Sequence, residues 1–224
     1  MLTLTSCKQR MAIDGTSSIP LLEGRILYLR VFKDGDLQAL DSAQIVHGKF
    51  QFKGASIDST MMAYLFLGDE SLMPVVIEGT RPLQVTISEN ERKVEGTALN
   101  DSLYAFIKRK SVVDNLLAEL PHRESQMILE GKDHDEILMQ LNQEARILQT
   151  QEDEMVMRFI KDNMGNVLAP GVFMIVTSNY PYPVLNPQIE ELVTFASSTF
   201  LNDAYVQEYL KLARENMDKL NEAQ

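Results

Sequence analysis

Three histidines, one cysteine and 32 carboxylates are the residues of this 224-residue chain from which chemistry could be built. His47, His122 and His134 lack HExxH spacing, and no Cys/His cluster accompanies them, so no metal ligand set is assigned. Gly-x-Ser-x-Gly and GxxxxGK[ST] are both absent, which removes the signatures of a serine nucleophile elbow and of a P-loop. A single cysteine, Cys7, excludes an internal disulfide, a CxxC redox pair and a cysteine-based zinc site. Paired carboxylates of the glycosidase kind are recognised by their separation in space, which spacing along one chain does not supply. The sequence therefore assigns no catalytic residue and no cofactor.

Two pairs of residues stand out as candidate ligand or partner contacts. Asp41 and Ser42 are polar residues in an apolar context. They either touch a ligand or hydrogen-bond to backbone at a strand entrance, as short polar side chains do. Tyr180 and Tyr182 alternate with Pro181 and Pro183. Prolines hold such rings out at low entropic cost, so the pair forms a recognition surface or a loop packed over helices.

These residues must be positioned by two dissimilar halves. Residues 13–99 read as short strands at 8–12-residue spacing, the pattern of an antiparallel β-sandwich or partly open barrel. The stretch 41–54 is its centre: two strands joined at His47-Gly48, with Ile45, Phe50 and Phe52 facing inward and Gly48 supplying positive φ. The run 26–32 is apolar on both faces and reads as a central strand. Strands follow at 62–67, at 75–78 with Pro74 in first position, at 83–87, and at 93–96.

Residues 100–224 read as helical, with Asn100 or Asp101 as the first cap. Leu103, Phe106, Ile107, Val113, Leu117 and Leu120 share one side of a helix that Pro121 ends. Residues 122–133 are a polar loop or a frayed extension of that helix. A second helix over about 135–163 carries a matching stripe, and the two form a long antiparallel hairpin. With the turn placed there, Lys110 lies about 15 Å from it and Glu152 about 26 Å, so Glu144 is the expected partner of Lys110. A coiled-coil homodimer is the alternative use of the stripes. Shorter helices follow at 170–176 and 187–196, and a last one is capped at Asn202-Asp203. The fold class is therefore α+β: leader and tether at 1–12, β domain at 13–99, helical region at 100–224.

The net charge of −11 argues against nucleic acid, because phosphate contacts need clustered Lys and Arg. Residues 1–99 carry 10 basic and 12 acidic groups, and residues 100–224 carry 11 and 20, so the acidity belongs to the helical half. No apolar run reaches the ~20 residues that a spanning helix needs.

Leu4-Thr5-Ser6-Cys7 resembles a bacterial lipobox, in which the cysteine carries the lipid. Only six residues precede Cys7, so the basic segment and apolar run of a signal peptide are expected upstream of Met1. A second resemblance rests on Ile13-x-Gly15, Leu22-x-Gly24, Tyr28-Leu29, Asp41-Ser42-Ala43, Gly48-Lys49-Phe50-x-Phe52-x-Gly54, Ile77-Glu78-Gly79 and Val94-x-Gly96-Thr97-x-Leu99-Asn100-Asp101. It is similar to domain of unknown function 4369, the N-terminal part of many thioredoxin-like lipoproteins of Gram-negative bacteria. That resemblance implies an exported, membrane-tethered protein and no known activity. In many such proteins a CxxC-bearing domain follows. Here no cysteine follows Thr97, so the redox activity is not carried over.

The leading expectation is a lipid-anchored, non-enzymatic binding or scaffold protein of the cell envelope, tethered to the membrane through Cys7 and contacting a protein partner. The basic Lys8-Gln9-Arg10 lacks the acidic run of surface-export signals, which points to a periplasm-facing anchor. The rival is a small-ligand binder or enzyme whose site lies between β domain and helices. A convergent polar pocket at that seam favours the rival, and a dry, filled seam disfavours it.

Overall fold

The computed structural model describes residues 12–54 and 59–222. Among the described residues, eight strands form two open four-stranded sheets, and a helical region follows. The strands are β1 (Ile13–Ser17), β2 (Ile26–Lys33), β3 (Asp36–Gln44), β4 (Lys49–Phe52), β5 (Thr60–Leu67), β6 (Glu70–Glu78), β7 (Leu83–Ile87) and β8 (Arg92–Glu95). One sheet has the order β4-β1-β7-β8, the other β3-β2-β5-β6. Alternation does what it should: Leu83, Val85 and Ile87 are buried on one face of β7, and Leu27, Leu29 and Val31 on one face of β2. Both sets belong to the main buried cluster.

Three details depart from the sequence reading. Five of the six strand pairings are antiparallel, but β1 lies parallel to β7, with Ile13 opposite Leu83 and Ser17 opposite Ile87. The turn at His47-Gly48 forms as expected, with φ of 51° and 68°. It does not join a two-stranded hairpin, however. A single bridge between Val46 and Lys49 closes it, after which β3 continues in one sheet and β4 in the other. Among the described residues β3 is an edge strand whose only ladder is with β2, while Phe52 pairs opposite Ile13 in the core of the other sheet. Lastly, β6 begins at Glu70, four residues before Pro74. Proline is tolerated inside it because β6 is an edge strand.

The helices are α1 (Ala98–Leu129), α2 (His134–Asp162), α3 (Leu168–Thr177), α4 (Pro187–Phe195), α5 (Ser198–Leu201) and α6 (Ala204–Glu222). Thr97, not Asn100 or Asp101, caps α1. Pro121 does not end it: the residue sits exposed within α1, whose neighbours Leu117, Leu120 and Met127 pack in the hairpin's own core. Packing on both sides of the proline offsets the loss of one backbone hydrogen bond.

This moves the interhelical turn to residues 130–133, where Gly131 has φ 76° and Asp133 caps α2 through the N–H groups of Asp135 and Glu136. Lys110 and Glu152 then stand level, each roughly 30 Å from the turn. They pair at 2.7 Å, and Lys110 also reaches Asp114 at 2.7 Å. Glu144 pairs with Arg123 instead of Lys110. Lys110 does not meet Glu144 because α1 continues through Pro121 and the turn lies at 130–133.

The outer face of β2 and β5 packs on the C-terminal helices. Phe32 meets Tyr205 edge-on at 5.1 Å, and Met62 lies so close to Gly171 that a Cβ there would collide with it. At the base of the hairpin Phe106 stacks on Phe159 at 4.3 Å.

Candidate functional site

The residues that carried the family resemblance lie mostly in the β framework. Gly15 faces Phe50 across the β1–β4 pair, and the ring occupies the space of a side chain, 2.0 Å from where a Cβ would sit. Gly54 leaves room in the same way for the Asp41 carboxylate, 2.6 Å from the Cβ position. At the corner between sheets, the Glu23 carboxylate accepts the N–H groups of His47 (2.7 Å) and Gly48 (3.0 Å). Those bonds hold its pKa below the usual glutamate value.

Asn100, a polar residue, is fully buried. Its Oδ1 accepts the Val76 N–H at 2.9 Å, and its Nδ2 donates to the Val76 carbonyl (2.7 Å) and to Thr97 Oγ1 (2.9 Å). One turn on, the Tyr104 hydroxyl donates to the Pro74 carbonyl at 2.7 Å. Burial pushes the Tyr104 hydroxyl's pKa up, so it stays a donor. Side chains of α1 thus satisfy the outward backbone of β6, which is otherwise an open sheet edge. The sequence signal for this was present as Thr97-x-Leu99-Asn100, but it read as a helix cap.

Cys7, the candidate lipidation site, lies outside the described residues. Asp41 accepts the Ser42 N–H at 2.8 Å and the Lys53 N–H at 3.1 Å, and so ties β3 to the end of β4. Ser42 is exposed opposite Tyr28 on β2. Tyr180 is partly buried against the main cluster, while Tyr182 is exposed. Val184 in the same loop exchanges two hydrogen bonds with the Tyr209 hydroxyl of α6. Asp41 is bonded within the β unit, whereas the tyrosine loop is bonded to the helices.

Two features outside those candidates have functional geometry. One is the α1–α2 arm. Val113, Leu120, Ile137, Leu141 and Leu148 form a buried cluster of their own, apart from the main one. Near the turn, Leu129 is 88% exposed and Met139 70%, with Ile128 also exposed. Along the arm, burial works against a charged Lys110, but the hydrogen bonds from Asp114 and Glu152 outweigh it and raise its pKa.

The arm's direction follows from where it begins. The Leu83 N–H donates to Ala12 at 3.0 Å, so the chain enters the β unit at the start of β7. The end of β8 is at the same level, with Glu95 opposite Gln84. From there α1 runs parallel to β7, and by residues 104–115 it borders the β7–β8 turn at 88–91. The rest of α1 lies beyond the sheet.

The second feature is a cavity of about 250 Å³ at the seam between β2, β5 and the helices α3 and α6. Phe32, Tyr64 and Tyr205 line it with rings, and Met61, Met62 and Met174 with thioethers. Asp203, Lys33 and Thr60 supply its polar side chains. The seam is therefore not filled and its wall is partly polar, although Asp41, Ser42, Tyr180 and Tyr182 do not line it.

Residues 11–103 match the family model described as Domain of unknown function (DUF4369), a stretch that ends one turn into α1, just past Asn100. No curated protein and no solved structure matches the chain.

Proposed function

We propose that this chain, with a DUF4369 unit over residues 11–103, is a lipid-anchored binding or scaffold protein of the cell envelope. Lipidated Cys7 tethers it, facing the periplasm of a Gram-negative bacterium. The β unit forms a base beside the membrane, and the α1–α2 arm presents its far end to a protein partner. No catalytic step is part of this reading.

The observation that carries it is the shared end of the β unit from which both the tether and α1 depart. A helix of 32 residues is about 48 Å long. An anchor at Cys7 would therefore hold the 130–133 turn about that far from the entry point, with Ile128, Leu129 and Met139 exposed beside it. Exposed apolar groups at the end of a charged arm suit contact with another protein. The tether itself asks for more than one acyl chain, at ~0.8 kcal/mol per buried methylene, which lipoprotein acylation supplies.

Membrane fractionation of the natively expressed protein, with an intact mass of its N-terminus, tests the anchor. Wild type should sediment with membranes and carry the mass of a lipid on Cys7, and Cys7→Ala should be released. Equal recovery of both as soluble protein would sink the proposal.

A further inference from the structure

We infer that the seam cavity is a binding site for a small ligand that joins an apolar body to a single ammonium group. The argument is independent of the tether and of the arm, and rests on three properties of the cavity wall.

The first is the carboxylate of Asp203. It accepts two backbone N–H groups, those of Tyr205 (3.0 Å) and Val206 (3.2 Å), both on Oδ1. The second oxygen has no hydrogen-bond partner among the described residues, and no cation is within ion-pairing distance of the carboxylate there. Burial raises its pKa even though the two backbone bonds act in the opposite direction. A half-buried carboxylate with one free oxygen is stabilised by any cation that reaches it.

The second is what surrounds it. Phe32, Tyr64 and Tyr205 present rings, and a cation over a ring face is attracted to it. Phe32 and Tyr205 are held edge-to-face at 5.1 Å, so this part of the wall is preformed. Met61, Met62 and Met174 add polarisable surface that adapts to the shape of an apolar body.

The third is the Tyr64 hydroxyl. It is buried, yet its bond to the Gly171 carbonyl is 3.4 Å, longer than a normal O–H···O bond. Burial drives its pKa well up, with the Asp203 charge adding to the shift, so it remains a neutral donor. While it donates to Gly171, its oxygen keeps acceptor capacity that a ligand's ammonium N–H can use. Lys33, exposed at the end of β2, also lines the cavity and opposes positive charge, and the single Asp203 carboxylate balances only one, so the ligand class is the monocation. The volume of about 250 Å³ limits the body to roughly one ring or a short chain.

The full-length protein tests this with 2-phenylethylamine as probe, beside the neutral 2-phenylethanol and the anionic 3-phenylpropanoate, by saturation-transfer NMR and titration. The amine should bind wild type at least about tenfold tighter than the alcohol, and the anion should not bind. Asp203→Asn removes the charge but keeps an N-capping side chain for α6, and it should abolish the preference. Should Asp203→Asn misfold by circular dichroism, Asp203→Ser keeps the cap and serves in its place. An amine that gives no transfer to folded wild type overturns the inference. So does an amine no tighter than the alcohol, or an unchanged preference in the Asp203 variant.

Discussion

The β unit with its covering helices and the outer part of the α1–α2 arm are built on different principles. The former is held by side chains that reach across the chain to satisfy backbone: Glu23 at the corner, Asp41 between β3 and β4, Asn100 and Tyr104 along β6. Each contact joins segments distant in sequence, and the core beneath them is shared by both sheets and all six of the helices α1–α6. The arm beyond residue 110 has two helices, five buried apolar residues and partly exposed ion pairs. A two-helix layer has only one buried side, so the arm should open locally at a lower free energy than the rest. Rigid base and locally labile arm suit a protein that holds one part still while another meets a partner.

The comparison can be broken by experiment. Phe52→Ala empties a fully buried site in the sandwich and should cost about 3–5 kcal/mol of global stability by denaturant unfolding. A loss under 1 kcal/mol would show that the sandwich repacks freely. Asn100→Ala strands the backbone groups of Val76 and should cost about 2–3 kcal/mol in the same assay, with faster hydrogen exchange along β6. Leu120→Ala should cost about 2 kcal/mol, yet read out locally. Amides of residues 113–148 should exchange faster while β2 and β5 keep their protection. Equal loss of protection in both regions would mean they unfold as one unit.

Smaller effects sharpen the contrast further. Glu152→Gln leaves Lys110 with Asp114 and should cost less than about 1 kcal/mol, because the pair is partly solvated. Acid should act on the base through Glu23. Its folded pKa is lowered, so the stability it contributes is present above the unfolded glutamate value and disappears as pH falls through the folded one. The His47 and Gly48 amide resonances should move in that acidic window, and Glu23→Gln should remove the transition. An unchanged acid limb in Glu23→Gln would assign the effect elsewhere.

Much of the β unit was legible because period-2 burial is written directly into β2, β4 and β7, and glycines mark its turns. Sheet membership was not. Nothing local in residues 41–54 reveals that Phe50 and Phe52 pair with β1 and not with β3, since that choice is made by the partner strand. Pro121 misled for a related reason. Its local cost is real, but packing of Leu117, Leu120 and Met127 against α2 outweighs it, and the turn moved with it. Cavity-lining residues were the least legible. Met61, Gly171 and Asp203 come from three distant segments and make a site only by folding.

The clamp of Asn100 and Tyr104 on β6 has a consequence for anyone dividing the molecule. A fragment ending at residue 96 would bare the carbonyls of Pro74 and Val76 and the Val76 amide, and unpaired strand edges recruit one another into aggregates. Extending the fragment past Tyr104 keeps that rim covered. The first turns of α1 thus act as the guard of the β6 rim.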